Sequence, residues 1–339
     1  MPNVLKHVSL KKFNTFGIDA SADILIEVVD IQGFKDVMRR VAAEHVEPLI
    51  LGGGSNILFT KASYPFVIIN KLTGIEKLDE NEDFVWVRAG AGEIWHDLVL
   101  FCINQGWGGV ENMSLIPGTV GAAPMQNIGA YGVEIKDVFD SLEAIDLESL
   151  EEKSFSNSDC EFGYRESVFK KELKGKYFIT SIILKLTKNH KVNISYGAIG
   201  DVLATEGISN PTIQQVSDAV IQIRQSKLPN PEEIGNAGSF FKNPVINADQ
   251  FEMLKKKYPD IPNYAQPDGK VKVPAGWLIQ QCGWKGSREG AVGVHKNQAL
   301  VLVNYGKGKG DDIRKLAMKI KKSVKDQFEI DITPEVNMI

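Results

Sequence analysis

One uncharged stretch, Ser114–Gly132, combines residue types that suit the binding of a flat or phosphate-bearing ligand. It reads SLIPGTVGAAPMQNIGAYG, and its glycines and prolines exclude a regular helix. Small residues remove the Cβ atoms that would block close approach of a ligand to the backbone. Gln126 and Asn127 add amide donors and acceptors for a polar heterocycle. The composition predicts either a ligand cradle or a tight, buried cluster of turns.

A second glycine-rich stretch, Gly52–Asn56, follows a short apolar strand predicted at 48–51. It reads GGGSN, and a strand that runs into such a turn can direct bare N–H groups at an anion. It is not the dinucleotide-binding fingerprint, because Ile57 stands where the third glycine would be. The chain also has no GxxxxGK[ST] loop. A phosphate cradle and a plain β-turn both remain open.

Three further stretches offer cations or a hydroxyl. Arg224 and Lys227 lie three residues apart at the end of a helix predicted to begin after Thr212. They form either a solvated face or a clamp for a diphosphate. Arg165 follows a tyrosine after a polar turn, which is typical of a surface ion pair or of a functional pair. Ser239 lies in NAGSFFKNP without a GxSxG motif, so a hydrolytic serine triad is unsupported.

The composition excludes several classes of function. The net charge of −4 argues against a nucleic-acid or anionic-membrane partner, since both favour basic surfaces. The five histidines show no HxH, HExxH or HxxxH pairing, and the three cysteines have no CxxC spacing, so we expect no metal site and no disulfide framework. No apolar run approaches the length of a membrane span, and the first residues lack the apolar core of a signal peptide. We therefore expect a cytoplasmic protein.

The predicted elements alternate between strands and helices around these stretches. At 339 residues the chain is long enough for two or three domains. Apolar periodicity predicts strands at 24–29, 48–51, 66–70, 84–89, 138–147, 177–186 and 330–336, with another after 294–302. It predicts helices at 34–43, 93–105, from 213, at 274–282 and at 310–328.

Taken in order along the chain, these stretches resemble UDP-N-acetylenolpyruvoylglucosamine reductases, the MurB family. The motifs that carry the resemblance are LGGGSN, SLIPGTVGAAPMQNIGAYG, FGYRES, IRQSKLP, NAGSFFKNP, PAGWLIQQCG and VHKNQALVLVN. Each motif is weak alone, but seven in order are specific, and the resemblance runs from Asn14–Phe16 to Pro334–Val336. The long insert between FGYRES and NAGSFFKNP includes Tyr196. It is similar to the insert of the type I subgroup, which has a substrate-covering tyrosine loop.

The resemblance implies an α+β fold of the vanillyl-alcohol-oxidase kind. We expect two FAD-binding subdomains of the PCMH type at 1–71 and 72–212, and a C-terminal α+β substrate-binding domain at 213–339. FAD would be held noncovalently. The residues that match the family's cofactor-binding positions are Gly52, Gly53, Gly54, Ser55, Asn56, Ile116, Pro117, Gly118, Thr119, Gly121, Ala122, Gln126, Asn127 and Gly129.

The implied activity is that of a UDP-N-acetylmuramate dehydrogenase, an NADPH- and FAD-dependent oxidoreductase. It reduces the enolpyruvyl ether of UDP-N-acetylglucosamine, a step of peptidoglycan synthesis on which cell shape and division depend. Hydride addition at C3 builds negative charge on C2 and the carboxylate, so a cation or donor must already be positioned there. A proton donor must also lie within hydrogen-bond reach of C2.

The resemblance also assigns roles to single residues. By motif position Ser239 is the proton donor, and Arg165 and Glu335 stabilise the enol-like intermediate. One departure from the family's pattern is Asn337, where some members carry an arginine, and an uncharged side chain cannot replace a guanidinium ion pair. The expected substrate-binding residues are Tyr131, Tyr196, Arg224, Lys227, Asn243, Lys285 and Gln298.

Two alternatives remain open. The first is a flavin-dependent oxidase of the wider fold family that is reoxidised by oxygen, and the second is a flavin- or nucleotide-binding protein without turnover. The expected partner is a small molecule, with no nucleic acid and no membrane, and the expected state is a monomer.

Overall fold

The computed structural model describes residues 3–339, and the chain divides into two compact units. The first unit combines residues up to Val8 with Ala22–Gly53 and Tyr64–Ser226. The second combines Ser9–Ser21, Gly54–Ser63 and Lys227–Ile339.

The helices and strands follow one another in a mixed order. Up to residue 227 they are β1 (Asn3–Ser9), β2 (Ser21–Val28), α1 (Ile31–Ala43), β3 (Leu49–Leu51), β4 (Ile57–Leu58), β5 (Ser63–Asn70), β6 (Ile75–Glu80), β7 (Phe84–Gly90), α2 (Trp95–Asn104), β8 (Gly129–Ala130), β9 (Val133–Glu134), β10 (Phe139–Asp146), β11 (Glu152–Ser156), β12 (Tyr177–Thr187), α3 (Gly197–Thr205) and α4 (Ile213–Lys227). The remainder are β13 (Gly235–Ser239), β14 (Val245–Ile246), α5 (Ala248–Lys257), β15 (Tyr264–Ala265), β16 (Val271–Lys272), α6 (Ala275–Gln281), β17 (Arg288–Glu289), β18 (Val292–Val294), β19 (Val301–Asn304), α7 (Gly310–Phe328) and β20 (Asn337–Met338).

The first unit contains two large sheets and the two-stranded sheet β8-β9. One has the order β1-β2-β5-β3, and the other is antiparallel with the order β11-β10-β12-β7-β6. Helix α1 begins at its N-cap Asp30, whose carboxylate accepts a 2.7 Å hydrogen bond from Gly33 N. Its buried Phe34 stacks on Phe178 of β12 with ring centroids 3.8 Å apart. The apolar stripe of α1 therefore joins the two sheets in one core.

Helices α3 and α4 form a smaller core of their own in the first unit. Ile199 and Leu203 of α3 pack with Val216 and Val220 of α4. Thr212 caps α4 as predicted, because its Oγ1 accepts a 3.2 Å hydrogen bond from Gln215 N. The predicted helix after Thr212 is confirmed.

The second unit is built on the antiparallel sheet β13-β19-β18-β17. Helix α7 occupies the predicted range and buries Ile313, Leu316, Ile320 and Val324 along one face. The small sheet β14-β16-β15 and helices α5 and α6 complete the unit. The part of the chain that the structure describes contains no helix long and apolar enough to cross a membrane.

The predicted strand at 330–336 is wrong. This segment instead forms single contacts with its neighbours, including an isolated bridge between Pro334 and Phe241 and a 2.9 Å bond from Lys242 N to Thr333 O. Proline lacks the N–H that a continuous ladder would need at 334. The strand begins later, at Asn337, where β20 pairs in parallel with β4.

Candidate active site

The turn at Gly52–Gly53 lies directly against the central glycine-rich stretch in the first unit. A Cβ atom on Gly53 would be 2.9 Å from Gly118 Cα, and one on Gly52 would be 2.3 Å from Thr119 Oγ1. Only glycine permits two backbones to approach this closely. Thr119 Oγ1 is itself buried without a hydrogen-bond partner. A buried hydroxyl in that state is a candidate partner for a bound polar ligand.

The central stretch is wound into short 3₁₀ turns at Val120–Ala122 and Pro124–Gln126. Its backbone is anchored to the start of α2 and the end of β7, because Gly121 N donates to Ala91 O at 2.9 Å and Trp95 N donates to Gly118 O at 3.0 Å. A Cβ on Gly121 would lie 2.6 Å from Ala91 Cβ. The stretch is thus a packed cluster of turns that lies against the Gly52–Gly53 turn.

Asn127 does not present its side-chain amide to a ligand. The residue is fully buried, and its Nδ2 donates to Glu134 Oε2 and to Gly163 O, both at 2.9 Å. Its Oδ1 accepts from Lys136 N at 3.2 Å. The amide therefore shapes the loop from within, in contrast to the heterocycle contact that the sequence suggested.

Four non-glycine residues of the first unit's candidate site have left-handed backbone conformations. They are Leu115, Asn127, Tyr131 and Arg165, with φ values of 58°, 46°, 50° and 56°. Such conformations cost energy and are concentrated at functional sites, where surrounding contacts hold them in place. Their concentration here marks these loops as shaped for a ligand.

Two guanidinium groups lie near each other in the same region. Arg165 Nη2 donates to Gly129 O at 2.8 Å, and Arg224 Nε donates to Leu115 O at 3.2 Å. Burial lowers the pKa of Arg224, and the positive charge of Arg165 lowers it further while Tyr131 opposes the shift. Two like charges in a partly buried region favour an anionic ligand between them.

Tyr131 and Tyr196, both predicted to bind substrate, are in contact. Their rings meet edge to face with centroids 5.2 Å apart, and burial raises the pKa of Tyr131. The buried Asn112 holds the two tyrosine-bearing segments together, since its Nδ2 donates to Tyr131 O at 3.0 Å and to Asn193 O at 2.8 Å. Tyr196 is exposed at the N-cap of α3.

The second unit brings the predicted proton donor and the predicted carboxylate together. Ser239 ends β13 opposite Val301, after a bulge at Gly238, whose φ is 66°. Glu335 N donates to Phe240 O at 2.8 Å, so the carboxylate-bearing residue lies beside the residue that follows Ser239. The bulge turns Ser239 outward, and its side chain is exposed.

Four predicted substrate-binding residues belong to the second unit. Gln298 Oε1 accepts from Leu300 N at 3.3 Å, in the loop that leads into β19. Asn243 Oδ1 accepts from Ala275 N at 2.9 Å and so caps α6. Lys285 and Lys227 are exposed, the first in the turn after α6 and the second at the end of α4.

The remaining part of the Gly52–Asn56 turn belongs to the second unit. A Cβ on Gly54, whose φ is 64°, would lie 2.0 Å from Phe13 O, so only glycine fits at this position. Thr15 N donates to Gly54 O at 3.2 Å, and Asn56 Nδ2 donates to Glu335 O at 3.3 Å.

Three residues that the sequence analysis did not single out support the first unit's loops: His96, Asn112 and Leu115. Their roles depend on hydrogen bonds between segments far apart in the chain. For His96 and Asn112 the local sign was a polar side chain within otherwise apolar surroundings, whereas Leu115 gave no such sign. Among residues 3–339, no group of three or more His, Cys, Asp or Glu side chains is placed to hold a metal ion.

Comparison with known proteins identifies the family. Residues 230–339 match the family model for the C-terminal domain of UDP-N-acetylenolpyruvoylglucosamine reductase, and residues 22–149 match an FAD binding domain. The chain is 53% identical to the reductase of Flavobacterium johnsoniae over 99% of both chains. It is 49% identical to that of Amoebophilus asiaticus and 45% identical to that of Pseudomonas aeruginosa, over 98% of each chain. The chain belongs to the UDP-N-acetylenolpyruvoylglucosamine reductase family.

A solved structure agrees with this assignment at the level of the fold. The reductase of Thermus caldophilus superposes with a TM-score of 0.67 over 100% of this chain and 99% of that one, at 22% identity. The predicted α+β fold and the predicted FAD dependence of this oxidoreductase are confirmed. The close backbone approach of Gly53 to Gly118 and the unpartnered Thr119 hydroxyl fit a group that carries phosphates and a polyol chain.

Proposed function

We propose that this reductase reduces the enolpyruvyl ether of UDP-N-acetylglucosamine to UDP-N-acetylmuramate with NADPH. The observation that carries the proposal is the position of Glu335 beside Phe240, the residue that follows Ser239, in a chain that matches the family along its full length. FAD, when bound, supplies the hydride chemistry that links NADPH to the vinyl carbon. Gly52–Asn56 and the segment from Ile116 to Gly129 would hold it through close backbone approach.

Ser239 is the proposed proton donor to C2 of the substrate. Its exposed hydroxyl, turned outward by the bulge at Gly238, is free to approach a ligand that lies on β13. Because a serine hydroxyl is a weak acid, the negative charge that develops at C2 must be spread onto the carboxylate and stabilised there. Arg165 and Glu335 are the residues proposed for that task.

The nucleotide sugar supplies further negative charge in its diphosphate. Arg224 lies in the partly buried, positively charged region of the first unit, while Lys227 offers an exposed ammonium. Tyr131 and Tyr196 provide hydroxyls and an aromatic surface for this part of the ligand. The other residues proposed to contact substrate are Asn243, Lys285 and Gln298.

We also propose a subdomain organisation and a cellular location for the protein. Subdomains at 1–71, 72–212 and 213–339 would each be centred on one of the three larger sheets, although the segments 9–21 and 54–63 pack in the second unit. We place the protein in the cytoplasm as a monomer, where NADPH and the UDP-linked substrate would reach it as small molecules.

The test is to separate the two half-reactions of a Ser239→Ala variant. Anaerobic NADPH should bleach the flavin of this variant at the wild-type rate, whereas reoxidation by the enolpyruvyl substrate should fall by a factor of about 100 or more, as for loss of general acid catalysis. Ser154→Ala, which alters another exposed strand serine, is the matched control and should leave both rates unchanged.

Equal loss of both half-reactions would refute the assigned role of Ser239. Reoxidation by oxygen, with no response to the enolpyruvyl ether, would instead favour the oxidase alternative. A flavin that NADPH does not reduce in the wild-type protein would favour binding without turnover.

A further inference from the structure

We infer that His96 is a positioning residue whose neutral imidazole holds the Leu115 peptide, and with it the Ile116–Pro117 segment, in the conformation that receives FAD. The inference rests on the proposed assignment of Ile116 and Pro117 to the cofactor site. His96 lies in the first turn of α2 and is half-buried.

The two peptide groups that flank Leu115 are each held from a helix. Leu115 N donates to His96 Nδ1 at 2.9 Å, and Arg224 Nε from α4 donates to Leu115 O at 3.2 Å. The preceding residue is fixed as well, because the Ser114 and Ser217 hydroxyls are 2.7 Å apart and buried. These contacts stabilise a leucine whose φ of 58° is unfavourable for a branched side chain.

The hydrogen bond defines the protonation state of His96. Nδ1 accepts from a backbone N–H, so it carries no proton, and the proton of the neutral ring must lie on Nε2. Protonation of Nδ1 would place two donors face to face and break the contact. The loop is therefore held only while His96 is neutral.

The surroundings of His96 favour the neutral ring. Burial lowers the pKa of His96, Arg224 acts in the same direction, and Asp97 on the same helix opposes them. The N-terminal end of α2 also disfavours a positive charge. Since the pKa in the folded protein lies below the usual value of 6.5, the stabilisation is complete above about pH 6.5 and is lost as the pH falls through the folded-state pKa.

Two substitutions separate the hydrogen bond from the titration. In His96→Asn the Oδ1 atom can occupy the position of Nδ1 and accept from Leu115 N, but it cannot be protonated in this pH range. His96→Leu keeps similar volume and removes the acceptor. FAD affinity is measured by fluorescence titration of flavin-free protein between pH 5 and 8, and the imidazole tautomer is read from ¹⁵N NMR of the flavin-free wild type.

We expect the Nε2–H tautomer and a wild-type FAD affinity that weakens by up to about tenfold toward pH 5, the size of one hydrogen bond. Relative to wild type, His96→Asn should lose the part of this pH dependence that is due to His96, and His96→Leu should bind weakly at every pH. An Nδ1–H tautomer, or wild-type affinity in His96→Leu across the range, would overturn the inference. If His96→Leu does not fold, the tautomer and the pH dependence of His96→Asn decide the matter.

Gly53→Ala distinguishes failure of this inference from failure of the site assignment. If Gly53→Ala weakens FAD binding while His96→Leu does not, the cofactor site stands and the role of His96 is refuted. If neither variant changes FAD affinity, the assignment of these loops to FAD is itself wrong.

Discussion

The backbone approach of Gly53 to Gly118 in the proposed cofactor site provides a quantitative prediction. A Cβ added at Gly53 would lie 2.9 Å from Gly118 Cα and 3.2 Å from Gly118 C. Neither atom belongs to a side chain that could rotate away. The turn and the central stretch would have to separate by about 0.5 Å to restore a contact of 3.4 Å, where ordinary van der Waals contact begins.

This displacement sets the expected loss of affinity. Overpacking in a well-packed region costs about 1–3 kcal/mol. If the free protein relaxes and the cost appears only when FAD restores the original spacing, the affinity falls by roughly 5- to 150-fold. The fold should persist, because Gly53 is exposed and lies at the end of β3 outside the core.

The assay is FAD titration of flavin-free Gly53→Ala protein, with thermal unfolding measured in parallel. Gly200→Ala is the matched control, because Gly200 lies inside α3. Its added Cβ would meet only Ile194 O at 3.8 Å, which is an ordinary van der Waals contact. That variant should bind FAD like the wild type and gain about 0.5–1 kcal/mol of stability from its higher helix propensity. Wild-type FAD affinity in Gly53→Ala would refute the cradle formed by this turn and Gly118.

Two other predictions concern stability and thiol reactivity. In Gly310→Ala the new Cβ would lie 1.6 Å from Phe59 O, so we expect a loss of about 3 kcal/mol or more in the free energy of unfolding, measured by urea denaturation. Burial raises the pKa of Cys102 and of Cys160 to about 12, so neither thiol should react with Ellman's reagent at pH 8 in the folded protein. The half-exposed Cys282 should react first, and Cys282→Ser should remove that phase; fast labelling of Cys102 would contradict the burial argument.

Helices were predicted best where the apolar periodicity and the residues that begin or end a helix indicated the same range. Helix α7 occupies the predicted 310–328, and α4 begins after its predicted cap. Helix α3 was missed because Gly197 and Gly200 weaken its local helical preference. It is stabilised by the packing of its buried Ile199 and Leu203 against α4, a tertiary effect that a local pattern does not reveal.

The candidate site was predictable in its motifs and less so in its contacts. The motifs predicted Ser239 and Glu335 for one site although 95 residues separate them in the sequence, and the structure places Glu335 beside Phe240, the residue after Ser239, through a backbone hydrogen bond. They did not show that the Asn127 amide is used inside the loop, or that Arg224 binds a backbone carbonyl. Such contacts arise from the three-dimensional course of the loops, and residue type alone does not determine them.

Asn337, which the sequence analysis singled out as an uncharged side chain, has a structural role in the second unit. Asn337 donates to Asn56 O through both its backbone N and its Nδ2, each at 3.1 Å, while Asn56 Nδ2 donates back to Glu335 O. The end of the glycine-rich turn and the C-terminal strand thus hold each other in register on either side of Val336. Because these contacts use amide and carbonyl groups, they need no charge at position 337. The position of Glu335 beside Phe240 is therefore supported without a charged group at position 337.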